Sequence, residues 1–148
     1  MAVLRPLPGP SPVPAGAYDL SELGYVEREF VLTGTASSYL LAGERTPDGR
    51  WTAREAGTAP YATRLIVRCP ADEAAFSGTV LVEWLNVSGG LDAAPDWMLT
   101  HTHLIRRGHA WAGVSAQRAG IEGGGLVPAR RRLRRLPRAR QAGRRGVA

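Results

Sequence analysis

The chain has 148 residues, which suits one domain of ordinary size and is short for two. Apolar residues make up 44% and charged residues 22%, so the bulk composition permits a globular protein. The net charge of +6 is unevenly placed: residues 1–122 hold ten Arg and all thirteen acids, a balance of −3, whereas residues 123–148 hold nine Arg and no acid, a balance of +9. Lys is absent. Cys69 is the only cysteine, so no intrachain disulfide and no Cys-based zinc site can form, and a buried, inert thiol is expected. No apolar run approaches the eighteen or so residues of a membrane span.

In chain order, Pro6, Pro8, Pro10, Pro12 and Pro14 recur at every second position. Proline fixes φ and extends the residue before it, so residues 1–17 read as a solvated, disordered, Pro-rich leader and not as a signal peptide. A cytoplasmic location is expected. Tyr25 to Thr33 reads as a strand with Val26, Phe30 and Leu32 on one side and Glu27 and Glu29 on the other. Gly34 and the Ser/Thr residues after it mark a turn, with Tyr39 to Leu41 returning as a short strand. Thr46-Pro47-Asp48-Gly49 is a turn signature. Tyr61 to Cys69 alternates Leu65, Val67 and Cys69 against Arg64 and Arg68, so the arginines are assigned to solvent.

Thr79 to Asn86 begins as a nearly continuous β-branched run, as in a central strand covered on both faces. It ends in the flexible Asn86-Val87-Ser88-Gly89-Gly90. Pro95 stands where an N1 proline opens a helix, with Asp96 in its first turn. Trp97, Met98, His101, Leu104 and Ile105 recur at helical spacing, Arg106 and Arg107 suit the C-terminal dipole, and Gly108 suits C′. Ala110 to Ser115 is a second apolar strand. Residues 79–115 therefore predict a βαβ unit.

Tyr25-Val26-Glu27-Arg28-Glu29-Phe30, the segment Glu83-Trp84-Leu85-Asn86-Val87-Ser88-Gly89-Gly90-Leu91-Asp92, and Gly113-Val114-Ser115-Ala116-Gln117 together resemble a bacterial family of α/β-hydrolase domain proteins. The likeness runs over residues 24–124. It implies an α/β class: an incomplete α/β-hydrolase-like sheet, with N-terminal strands plus the βαβ unit over residues 18–124. It further implies an esterase-like Ser-His-acid scaffold whose nucleophile elbow and triad lie further along, so that the chain alone is catalytically incompetent. A small-molecule ester would be the substrate only of an intact relative, with no cofactor.

No catalytic residue is identifiable. Ser115 lacks an elbow, because Gln117 would crowd the turn and no helix-forming sequence follows. Ser88 has no helix directly behind it. His101 reads as a partly buried packing residue, His103 and His109 as solvated. By the resemblance, the loop after the central strand contributes a backbone N–H to an oxyanion hole, which makes Asn86, Ser88, Gly89 and Gly90 the candidate site positions. The alternative is a Gly-rich turn that only connects strand to helix.

Residues 125–148 read as a disordered Arg-rich tail. Arg130, Arg131, Arg132, Arg134 and Arg135 could contact phosphates or an anionic surface, nonspecifically, since no aromatic after Trp111 is present to stack bases. The competing reading is an out-of-frame continuation of a G/C-rich gene, which accounts for the missing acids and the end of the resemblance together.

Overall fold

The computed structural model describes residues 1–122. The strands and α-helices follow in order, with a 3-10 turn at Glu73–Ala75 between the third and fourth strands: β1 Val3–Pro6, β2 Tyr25–Leu41, β3 Ala53–Pro70, β4 Val80–Trp84, α1 Pro95–Arg106, β5 Ala110–Val114 and α2 Arg118–Glu122. The strands form one mixed sheet in the order β1-β2-β3-β5-β4, a partial sheet of the α/β-hydrolase kind. β1, β2, β3 and β5 are mutually antiparallel neighbours, and β4 runs parallel to β5. Only that parallel pair needs a crossover, and α1 supplies it as the βαβ pattern predicts.

The β2–β3 pair is longer than its sequence signals suggest. β2 continues through Gly34 without a turn, and residues 35–41 pair with residues 53–60 in an exposed two-stranded arm. The turn at its tip is the expected one. Gly49 has a φ of +72°, and Asp48 Oδ1 accepts from Thr46 Oγ1 at 2.5 Å and from the Arg50 N–H at 3.1 Å. The Thr46 hydroxyl, and then the Arg50 N–H, hold the Asp48 carboxyl below its ordinary pKa.

The sheet's two faces are reversed relative to the expectation. On β3 the buried residues are Arg64, Ile66, Arg68 and Pro70, while Leu65, Val67 and Cys69 are only half-buried. On β2 the buried residues are Tyr25, Glu29 and Val31. Arg64 lies opposite Val31 and Ile66 opposite Glu29, so both strands turn alternate charged and apolar residues inward. Apolar periodicity pointed the wrong way because Arg64 and Arg68 share the inward face with Ile66 and are neutralised across the neighbouring strand by Glu29 and Glu27. Cys69 is thus not the buried thiol expected. With Arg28, Glu73, Phe76 and Ala110 it lines a surface cleft of about 450 Å³.

The core gathers on the inner face: Val13, Leu20, Tyr25, Ile66, Leu85, Ala94, Trp97, Leu104 and Trp111. Trp97 and Trp111 meet with centroids 5.5 Å apart at 54°. The Arg68 guanidinium lies 4.7 Å from each indole centroid, which partly replaces its lost hydration with two cation–π contacts. Its Nε donates to Glu27 Oε2 at 2.8 Å and its Nη2 to the Val13 carbonyl at 2.7 Å.

That last bond overturns the solvated leader. Residues 3–6 pair with residues 30–33 as β1, Val13 is 2% exposed, and the Ala15 carbonyl accepts Trp97 Nε1–H at 2.6 Å. Residues 3–6 of the Pro-rich segment are extended as a strand, and the Val13 and Ala15 carbonyls accept from buried donors that hold the rest against the sheet.

α1 begins at Pro95, and its N-cap, Ala94, has no side chain able to cap. Glu83 of β4 does this from outside the helix. Its Oε1 accepts the Asp96 N–H at 2.9 Å, and its Oε2 accepts the Trp97 N–H at 3.0 Å and Trp111 Nε1–H at 2.7 Å. A buried carboxylate thus meets the helix's orphan donors and its positive dipole end together. Gly108 closes the helix at φ +65°, in the C′ place the sequence assigns it.

β4 is an edge strand, not the central strand covered on both faces that its composition suggests. Val82 and Trp84 are each 66% exposed on its outer side. Among the described residues no helix is long and apolar enough to cross a membrane.

Candidate functional site

The parallel strands β4 and β5 end on the same side of the sheet, and the Gly-rich loop leaves from there. Asn86 and Ala93 close the loop as an isolated antiparallel bridge, with N–H to carbonyl bonds of 2.9 and 2.8 Å. Inside it, Asn86 Oδ1 accepts the Ser88 N–H at 2.8 Å, and the Val87 carbonyl accepts the Gly90 N–H at 2.9 Å, with Gly90 at φ +77°. The four candidate positions therefore share one exposed turn in unequal roles. Asn86 shapes it, while the Ser88 and Gly90 N–H groups are already used within it. The Gly89 N–H has no such partner among the described residues.

The loop is anchored at its far end by a buried polar chain. Asp92 Oδ2 accepts the Ser115 hydroxyl at 2.6 Å and Arg64 Nη1–H at 3.3 Å. On its other side Arg64 Nε lies 2.8 Å from Glu29 Oε1. All four side chains are almost wholly withdrawn from solvent. Two carboxylates, the guanidinium between them and a serine hydroxyl, joined in one line, offset most of the desolvation penalty that each would carry alone. Arg64 Nη2 and Asp92 Oδ1 remain without a hydrogen-bond partner among the described residues. α2 packs so closely here that a Cβ on Gly120 would collide with the Asp92 carboxylate.

Ser115 is held at three atoms: its N–H donates to the Arg64 carbonyl at 3.0 Å, its own carbonyl accepts the Thr63 hydroxyl, and its hydroxyl donates to Asp92. Fully buried and locked, it is a structural serine. Ser88 is exposed on the loop, and among the described residues its hydroxyl is bonded to none of the three histidines. His101 is half-buried on α1, stacked on Tyr18 with centroids 4.9 Å apart, as a packing histidine should be. His103 is exposed. His109 departs from the solvated reading, being half-buried with Nδ1 2.6 Å from Ser77 Oγ, beyond the opposite end of β5. Among the described residues no cluster of three His, Cys, Asp or Glu could hold a metal ion. Arg130, Arg131, Arg132, Arg134 and Arg135 lie outside the described residues.

Sequence reasoning missed Arg64, Glu29 and Asp92. The signal was present in the paired periodicities, with Glu27 and Glu29 on one strand and Arg64 and Arg68 on the next, once one strand's charges were read against the other's.

The alpha/beta hydrolase domain model matches residues 3–143, a wider span than residues 24–124, and it takes in the Pro-rich segment and most of the Arg-rich one. No curated protein and no solved structure matches the chain. With nearly its whole length matched, the chain belongs to the alpha/beta hydrolase domain family.

Proposed function

We propose that this chain contributes the oxyanion-side loop of an ester-hydrolysing α/β-hydrolase site and does not hydrolyse esters by itself. The carrying observation is the anchored Asn86–Gly90 loop at the carboxyl ends of the parallel pair, where open α/β sheets bind their ligands. Its exposed Gly89 N–H is the donor to offer a developing oxyanion, and the absent Cβ lets substrate approach. Hydrolysis also requires an activated nucleophile. Ser115 is sequestered by Asp92, and the described Ser–His pair, Ser77 and His109, lies beyond the opposite end of β5. The purified chain should turn over short-chain p-nitrophenyl esters no faster than a heat-treated control. Clear excess turnover, abolished by Ser88→Ala, would assign the nucleophile to this chain and overturn the second half of the proposal.

A second reading rests on charge. The +9 balance of residues 123–148 supports nonspecific contact with nucleic acid or another polyanion through Arg130, Arg131, Arg132, Arg134 and Arg135. A mobility shift that weakens with salt and disappears on deletion of residues 127–148 supports it; no shift at low salt ends it.

A further inference from the structure

The end of the sheet opposite the Gly-rich loop brings together two histidines that the hydrolase reading does not use. His103 stands exposed in the last turn of α1, and His109 lies one residue before β5. Their ring centroids are 6.0 Å apart, with the planes inclined at 62°. Ser77 sits behind His109, with its Oγ 2.6 Å from Nδ1. The same Oγ accepts the Thr79 N–H at 3.3 Å, and Ser77 is fixed by its own N–H to the Gly108 carbonyl at 2.9 Å.

We propose that His103 and His109 form a binding site for a divalent transition cation of the zinc class, with Ser77 holding His109 in the ligating tautomer. An imidazole that binds a metal through one nitrogen usually donates the N–H of the other to a fixed acceptor. Ser77 Oγ provides that acceptor at Nδ1 and leaves the Nε2 lone pair for the metal. With Zn–N bonds of about 2.0–2.1 Å, two rings on one ion have centroids about 5–6 Å apart, and the observed 6.0 Å lies at the upper end of that range, with the exposed His103 ring the one free to turn toward the ion. Imidazole selects zinc, copper and nickel over magnesium and calcium. Two protein ligands leave coordination positions to water, which makes this an exchangeable site and not a closed structural one. Arg106 and Arg107, exposed beside it, lower its affinity for a cation, although salt screens them.

The chain contains its own controls. Its third histidine, His101, has Nδ1 directed at the Trp97 and Met98 carbonyls and its ring stacked on Tyr18. Residues 123–148 contain no His, Cys, Asp or Glu. Calorimetric titration of the full chain with Zn²⁺ and, separately, Mg²⁺ tests the site. One Zn²⁺ per chain and no Mg²⁺ is expected. His103→Ala and His109→Ala should each abolish binding, Ser77→Ala should weaken it about tenfold, and His101→Ala and Cys69→Ser should leave it unchanged. Zinc binding that survives either His103→Ala or His109→Ala, or no zinc binding by protein whose circular dichroism is that of the folded chain, overturns the proposal.

Discussion

The two faces of this sheet divide their residues against the usual rule. The inner face buries Glu29, Arg64, Arg68, Glu83 and Asp92 among two tryptophans, whereas the outer face of β4 exposes Val80, Val82 and Trp84. Burial here is decided by partners, not by residue type. Each inner charge has an opposite charge, an indole or a row of backbone N–H groups facing it, so the cost of leaving water is met locally. The outer apolar residues have no such partner among the described residues, and they lie on an edge strand whose backbone is open to further pairing.

The sharpest way to break this contrast is to remove one inner partner. Arg64→Ala leaves the Glu29 and Asp92 carboxylates buried without their shared cation, and a loss of about 3–5 kcal/mol is expected in urea unfolding. Glu83→Ala, which strips three donors at once, belongs in the same range and should also reduce helical circular dichroism. A loss below about 1 kcal/mol in both would mean that water reaches these groups.

A smaller effect is expected at Tyr25, whose hydroxyl donates to the His109 carbonyl at 2.9 Å and the Leu104 carbonyl at 3.2 Å. Burial, and then the neighbouring Cys69, raise its pKa above 10.0. The neutral phenol is thus favoured in the folded chain. Its stabilisation is complete below the unfolded value and is lost as pH rises through the folded one. Tyr25→Phe should cost about 1 kcal/mol at neutral pH and flatten the alkaline fall in stability. An unchanged alkaline limb would show that Tyr25 does not govern it.

The smallest effect should come from the outer face. Val82→Lys should alter stability by no more than about 0.5 kcal/mol while reducing light scattering on concentration. A destabilisation as large as that of Arg64→Ala would show that this face is packed after all.

The βαβ unit was legible because its signals were local: Pro95 at the helix start, Gly108 at its end, a β-branched run before it and a short apolar run after it. The loop at Asn86–Gly90 was legible for the same reason. The facing of β2 and β3 was not, since one strand's charges acquire meaning only beside the other's. Nor was the capping of α1, because Glu83 lies twelve residues before Pro95 and on another element. The leader was misread because proline spacing reports backbone geometry and says nothing about which distant side chain takes the carbonyls.

The leader's bonds also bear on the order in which the fold assembles. Val13 and Ala15 are joined to Arg68 and Trp97, 55 and 82 residues away in sequence. During synthesis residues 3–6 find their partner strand as soon as β2 has emerged, but the Ala15 carbonyl has no donor until α1 has followed. Closing loops of that length is a late step in a fold otherwise built from a local hairpin and a βαβ unit. Val13 and Ala15, made well before their partners, are therefore among the last residues to settle, and their docking is the step that seals Arg68 between its two indoles.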